Sequence, residues 1–107
     1  MDSKHKELAK RQALMCPVLL QNNNNTLPID KNIKTLAVIG AVADDVDCQL
    51  GYISTNNKYI QSDSITALTS LRQALPNTTI NYAPGYLNVT SNDKSLFAAA
   101  IAATNKS

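Results

Sequence analysis

Residues 34–45 read KTLAVIGAVADD, and this stretch decides the fold that the sequence predicts. The apolar run LAVI at residues 36–39 contains β-branched members and ends at Gly40, which is the pattern of a short buried strand followed by a turn. Many nucleotide-binding α/β domains begin in the same way. The residues that follow the glycine therefore have to be compared with what a phosphate site needs.

The turn after the strand lacks the features of a phosphate-binding loop. A dinucleotide-binding turn needs GxGxxG, because the second glycine lets the backbone approach the pyrophosphate. Here Gly40 stands alone, Val42 occupies the place of the second glycine, and Asp44 and Asp45 add negative charge. No GxxxxGK[ST] motif occurs in the chain. The acidic residues also lack calcium-loop spacing, so we expect neither a cofactor nor a metal ion.

The rest of the sequence predicts helices and a second strand around this first one. Leu8, Leu14 and Leu19 recur near helical spacing, and Pro17 is expected to kink or break their helix near Met15 and Cys16. The predicted elements are a helix over 3–21, a strand over 36–39, a polar loop over 43–63, a helix from Ser64 or Asp63 to Leu75, a strand over 78–82, and a helix over 93–104. The last helix is predicted to be capped by Ser91 or Asn92. Its apolar face is predicted to consist of Leu96, Phe97, Ala100 and Ile101.

This order predicts an α/β fold with a parallel sheet. Strands that alternate with helices pair in parallel through right-handed crossovers. Two strands are too few for a stable parallel sheet. We therefore expect a partial three-layer α/β sandwich in the order helix-strand-helix-strand-helix, truncated before its third strand. Residues 1–33 would form a linker helix and loop, and residues 34–107 the first βαβα portion of the domain.

Composition excludes several classes of partner. The chain has 107 residues and a formal net charge of +2, and its basic cluster near the N-terminus is interrupted by Asp2 and Glu7. That pattern is typical of a solvated helix face, so no nucleic-acid partner is expected. No apolar run approaches the roughly 20 residues of a membrane span, and the start MDSKHKELAKRQ has no signal-peptide core. His5 is interpreted as a surface residue or a helix-packing contact rather than as a catalytic base.

Two side-chain types leave alternatives open. Cys16 and Cys48 form no metal-binding spacing, and they are either disulfide partners or free or buried thiols. Four Asn-x-Ser/Thr sequons lie in predicted loops or near the chain end, where a glycan would fit, although such sequons also arise by chance in chains rich in Asn and Thr. The candidate glycosylation residues are Asn24, Asn77, Asn88 and Asn105.

The segments resemble, in collinear order, the C-terminal α/β-sandwich domain of glycoside hydrolase family 3. HKELAKRQALMCPVLLQN resembles the family's His-led helix, TLPID its L-P-L segment, and IKTLAVIGAVADD its first strand. QLGYIS, SITALTSLRQAL, INYAPGYLNV and SLFAAAIAATNKS resemble the loop, helix, strand and helix that come next. Departures are Pro17 within the helix, Gln12 where an acidic residue is common, and Tyr86 where many relatives have Cys.

The resemblance implies hydrolysis of β-glucosides or β-xylosides with retention of configuration. The family's Asp nucleophile belongs to an N-terminal barrel domain, which would be the partner of this chain, and its acid/base is usually a Glu later in the α/β domain. Neither segment matches here, and Glu7 is the only Glu. No catalytic residue can be assigned, and the chain alone is predicted to be inactive. Tyr52 is the candidate for a contact at the rim of the sugar site.

Other functions remain open at this point. A non-catalytic α/β interaction module is one alternative, and a Rossmann-like ligand-binding domain is another. The resemblance implies secretion or a lysosome-like compartment, with which the sequons agree, although this chain shows no signal peptide.

Overall fold

The structure, a computed structural model, describes residues 2–50, 64–88 and 90–107. The elements in these ranges are helices α1 (Ser3–Met15), α2 (Val46–Leu50), α3 (Ala67–Ala74) and α4 (Phe97–Thr104), strands β1 (Thr35–Ile39) and β2 (Thr79–Ala83), and short 3-10 turns at Asn23–Asn25 and Ala41–Asp44. None of the helices in the described ranges has both the length and the apolar character needed to cross a membrane.

The two strands form a parallel pair. Thr35 lies opposite Thr79, and Ile39 lies opposite Ala83 at the other end of the register. Helix α3 lies between the strands in sequence, as a parallel crossover requires. The predicted α/β class and parallel sheet are confirmed, and each strand lies within one residue of its predicted start and end.

Helix α4 packs against one face of this sheet and contacts both strands. Asn81 of β2 donates from Nδ2 to Ser107 Oγ at 2.9 Å, which places Asn81 on the face that α4 covers. Because side chains alternate along a strand, Ala37 and Ala83 share that face. Ala83 and Ala103 are both buried. Small side chains on both partners therefore let the helix lie close to the sheet.

Helix α3 begins later than predicted. Thr66, rather than Ser64 or Asp63, caps it, because the Thr66 hydroxyl accepts a hydrogen bond from Thr69 N at 3.1 Å. Of the predicted apolar face, Leu68 and Leu75 are buried, and Leu68 has no exposed surface at all. Ile65, predicted to lie on the same face, precedes the helix and is exposed. Leu68 is the most deeply buried side chain among the described residues.

Helix α1 ends at Met15, with Cys16 as its C-cap. The predicted break before Pro17 is confirmed, and the predicted continuation to residue 21 is wrong. Proline has no N–H to donate to the carbonyl of Ala13, and its ring collides with that carbonyl in a continuing helix. The apolar side chains of this segment, including Leu8, Leu14 and Leu19, are exposed. Their helical spacing therefore does not correspond to packing within the described ranges.

Two further boundaries differ from the prediction. The loop predicted over residues 43–63 is wrong in its first part, because the 3-10 turn runs to Asp44 and α2 follows it to Leu50; the remaining positions 51–63 lie outside the described residues. Helix α4 begins at Phe97 rather than at Asp93, and neither Ser91 nor Asn92 caps it. Of the predicted apolar face, Phe97 is 47% exposed and Ile101 is 60% exposed. These two side chains flank the packed alanines instead of joining the core.

Candidate functional site

The carboxyl edge of the sheet is where ligands bind in open α/β folds, because loops diverge there. Gly40 follows β1 at this edge, and Pro84 and Gly85 follow β2. Gly40 N donates to the carbonyl oxygen of Ala83 at 3.1 Å, so the segments that follow β1 and β2 leave the sheet side by side.

Gly85 redirects the chain after β2. Its φ is 72°, in the left-handed region that side-chain-bearing residues rarely adopt. A Cβ at this position would lie 3.6 Å from Ile39 Cγ2 and 3.7 Å from Ala100 Cβ, which are ordinary contact distances. The backbone conformation, rather than lack of space, therefore favours glycine here. Tyr86 follows this turn, beyond the end of β2.

An open cleft of about 680 Å³ lies beyond this turn, between the loop after β2 and the first turn of α4. We call it the β2–α4 cleft. Two aromatic and five polar residues line it: Tyr86, Asn88, Ser91, Asn92, Asp93, Lys94 and Phe97. Its walls thus combine apolar ring surface with amide, hydroxyl and charged groups.

Short-range hydrogen bonds shape the polar wall of the cleft. Asn88 Oδ1 accepts from Thr90 N at 3.1 Å and from Thr90 Oγ1 at 2.8 Å. Ser91 Oγ accepts from Asp93 N at 3.1 Å, so Ser91 closes a side-chain turn instead of capping the last helix. These bonds hold the loop in a defined conformation without burying it.

Asp93 is held as a carboxylate at the same wall. Its Oδ1 accepts from Ser95 N at 2.8 Å, and its Oδ2 accepts from Ser95 Oγ at 2.9 Å. The hydrogen bond from the Ser95 backbone and then that from the Ser95 hydroxyl lower the pKa of Asp93 below its ordinary value. The cleft therefore presents a negative charge across the whole neutral pH range.

Asp44 joins the turn after β1 to the start of α3. Thr66 Oγ1 donates to Asp44 Oδ1 at 2.9 Å. Burial, followed by the charges of Asp44 and Tyr86, raises the pKa of the Tyr82 phenol above its ordinary value. Tyr82 thus stays neutral, and Asp44 serves a structural contact.

The neighbouring acidic residues also have structural roles. Asp45 Oδ1 accepts from Asp47 N at 2.9 Å and Cys48 N at 3.2 Å, which caps α2. Cys48 Sγ donates to Asp45 Oδ2 at 3.1 Å, and this bond lowers the pKa of Asp45 and raises the pKa of Cys48. Within the described ranges, no three His, Cys, Asp or Glu residues lie together in a way that would hold a metal ion.

The residues singled out from the sequence are scattered over the surface. Asn24, Asn77, Asn88 and Asn105 are all exposed. Cys16 and Cys48 are exposed free thiols, so the disulfide alternative is not realised. Tyr52 lies outside the described residues, and its contact with sugar stays a prediction.

Sequence reasoning missed the β2–α4 cleft, with the single exception of Asn88. The sequence places Phe97 on the apolar face of the last helix and marks Tyr86 only as a departure from a family pattern. The available signal was the Pro84-Gly85 turn directly after a strand, followed by Tyr86 and a loop rich in Asn, Ser and Asp. That combination is typical of a binding loop at the carboxyl edge of a sheet.

A parallel α/β sheet with loops gathered at its carboxyl edge defines the class of this chain as an α/β domain. The family model described as glycosyl hydrolase family 3 C-terminal domain matches residues 17–107. The chain therefore belongs to this family, as its sequence segments indicate. A search of curated proteins and a search of solved structures found no match.

Proposed function

We propose that this chain supplies the α/β part of a retaining β-glycosidase that hydrolyses β-glucosides or β-xylosides. The family match over residues 17–107 is the observation that carries the proposal. In this proposal the chain works next to an N-terminal barrel domain, which holds the nucleophile, and its carboxyl-edge loops face the β-linked sugar.

The carboxylates of the described residues support a non-catalytic role for the chain alone. A retaining glycosidase needs two carboxyl groups about 5 Å apart across the glycosidic bond. Asp45 and Asp93 are held by turns of their own backbone, and Asp44 is held by Thr66. Glu7 lies exposed on α1. Asp2, Asp30 and Asp47 are exposed as well. None of the acidic side chains in the described ranges combines the burial and pairing that a general acid requires, so the isolated chain is proposed to be inactive.

A chimera provides the test. Residues 17–107 replace the corresponding segment of an active family 3 β-glycosidase, and kcat/KM is measured with nitrophenyl β-glucoside and nitrophenyl β-xyloside. The chimera should hydrolyse at least one of them, while the purified 107-residue chain should hydrolyse neither. A chimera that melts cooperatively but cleaves neither substrate contradicts the proposed function. Cleavage by the chain alone contradicts its inactivity.

We also propose that the parent enzyme is secreted or resides in a lysosome-like compartment. The exposed positions of Asn24, Asn77, Asn88 and Asn105 support it, because the oligosaccharyl transfer that uses such sequons occurs in the secretory pathway. When the chain is expressed behind a signal peptide in a eukaryotic host, glycosidase treatment should lower its mass. A mass that does not change on treatment contradicts the glycosylation.

A further inference from the structure

Strand β2 has one edge paired with β1 and one open edge. Thr79 N donates to the carbonyl oxygen of Lys34 at 2.8 Å, so the odd-numbered residues of β2 turn their backbone N–H and C=O groups toward β1. Because these groups alternate in direction along a strand, those of Ile80 and Tyr82 point to the other side. Among the described residues, no strand pairs with β2 on that side.

The handedness of parallel crossovers keeps this edge open. Helix α4 covers the sheet face that carries Asn81, and α3 lies on the opposite face, where Arg72 of its last turn lines a cleft together with Tyr82. Since parallel crossovers are right-handed, helices on opposite faces carry the chain in opposite directions across the sheet. A strand reached from α4 would therefore pair with β1 and leave the outer edge of β2 free.

The cleft that runs beside this edge has a volume of about 510 Å³. We call it the β2 edge cleft. It is lined by Ile80, Asn81 and Tyr82 of β2, by three alanines of α4, and by Arg72 and Lys106. The alanine side chains are small, so they leave room for a polypeptide backbone beside the strand.

The side chains of the β2 edge cleft give it a positive charge. Arg72 and Lys106 are both exposed, and none of the residues that line the cleft is acidic. Asn81 Nδ2 donates to Ser107 Oγ at 2.9 Å, which holds the segment that carries Lys106 beside β2. Carboxylates of a partner would gain attraction from both cations. A second copy of this chain, paired edge to edge, would instead bring two further cations into the cleft.

We propose that the outer edge of β2 accepts an extended acidic segment of another protein as an additional strand. The partner's backbone bonds with the N–H and C=O groups of Ile80 and Tyr82, and its carboxylates meet Arg72 and Lys106. The five residues of β2 give room for a partner strand of similar length. Main-chain hydrogen bonds supply the affinity in this mode of recognition, and side-chain contacts supply the specificity. The proposal does not depend on the proposed function.

An NMR titration of the 107-residue chain with the peptide EVEVEVE tests this. The peptide alternates acidic and β-branched residues, and its own charge keeps it monomeric. We expect saturable amide shifts and slower hydrogen exchange at Ile80 and Tyr82. Two control peptides should produce neither change at the same concentration. KVKVKVK reverses the charge, whereas EVEVEVE methylated on two adjacent central amide nitrogens keeps the charge and loses a donor on whichever side faces β2.

Arg72→Gln and Lys106→Gln should each weaken peptide binding about threefold, because each removes one charge pair with the acidic segment. Lys94→Gln is the matched control, since Lys94 is an exposed cation that does not line the β2 edge cleft. The proposal is overturned if EVEVEVE leaves the two β2 amides unshifted, if either control peptide binds as tightly, or if Lys94→Gln weakens binding as much as Arg72→Gln. Shifts of these amides that grow with protein concentration without any peptide would also overturn it, because the occupant would then be a second copy.

Discussion

Thr66 Oγ1 lies 2.9 Å from Asp44 Oδ1, and this bond joins the turn after β1 to a helix start that is 22 residues away. The same oxygen accepts from Thr69 N and caps α3. One hydroxyl thus fixes both the helix that contributes Leu68 to the core and the turn at the carboxyl edge. Its removal should affect the two together.

Thr66→Ala should lower the free energy of unfolding by about 1–2 kcal/mol, because the cap and the buried hydrogen bond disappear. Thr66→Ser keeps the hydroxyl and is the matched control, with an expected loss of less than half as much. Urea denaturation followed by far-ultraviolet circular dichroism measures both. Equal midpoints for the alanine variant and the original chain would show that the hydroxyl contributes nothing.

Gly85→Ala should destabilise the chain by about 1 kcal/mol, because alanine at a φ of 72° is strained although its Cβ fits the available space. Gly85→Asn should cost less, since asparagine tolerates the left-handed region. Thermal melts of the two variants give the comparison. If alanine is tolerated as well as asparagine, the positive φ is not what this position requires.

The Asp45–Cys48 hydrogen bond should make the Cys48 thiol slow to alkylate. A carboxylate that accepts from the S–H stabilises the thiol over the thiolate, so the pKa of Cys48 is raised, and less thiolate forms near pH 8. Asp45→Asn removes the charge and should speed the reaction with iodoacetamide severalfold. Both proteins carry Cys16→Ser, so that only Cys48 reacts. Identical rates would mean that the bond does not control the thiol.

The same pair gives opposite dependences of stability on pH. Hydrogen bonds lower the pKa of Asp45 in the folded chain, so its contribution is present above the unfolded pKa and is lost as pH falls through the folded value. The raised pKa of Cys48 gives a contribution that is present below the unfolded pKa and is lost as pH rises through the folded value. Asp45→Asn should flatten both limbs of a stability profile measured by urea denaturation. Unchanged limbs would contradict this.

Pro17→Ala should lengthen α1 beyond Met15, since alanine restores an N–H for the carbonyl of Ala13 and removes the ring that blocks the helix. Ellipticity at 222 nm should become more negative. Pro17→Gly also restores the N–H but is a poor helix former, so it should change the signal much less. If the alanine variant shows no gain, residues other than Pro17 end the helix.

The strands could be predicted because their signal is local. The LAVI and TTINY stretches carry their own β-branched residues, and glycine or proline ends each of them. Helix caps were less predictable, since several neighbouring Ser, Thr and Asp residues compete for one position. Thr66 is the residue that caps α3, because its hydroxyl also donates a hydrogen bond to Asp44, which is far away in sequence. Before α4, Ser91 and Asp93 satisfy local turns instead.

The β2–α4 cleft depends on tertiary structure in the same way. Whether Phe97 fills the core or lines a cleft depends on how α4 lies on the sheet, and apolar spacing alone does not determine this. The helix presents alanines to the strands, so its larger side chains remain outside. Asn88 could be recognised because a sequon is a contiguous pattern, but its neighbours across the cleft could not.

The layer of small side chains between α4 and the sheet has a consequence for the cleft. Phe97 belongs to α4 and Tyr86 follows β2, so the separation of the two rings depends on the distance between helix and strand. Ala83 and Ala103 help to set that distance, and neither of them lines the β2–α4 cleft. Packing at this layer therefore contributes to the separation of the two rings, and a methyl group added at Ala103 would change that separation without altering any residue of the cleft wall.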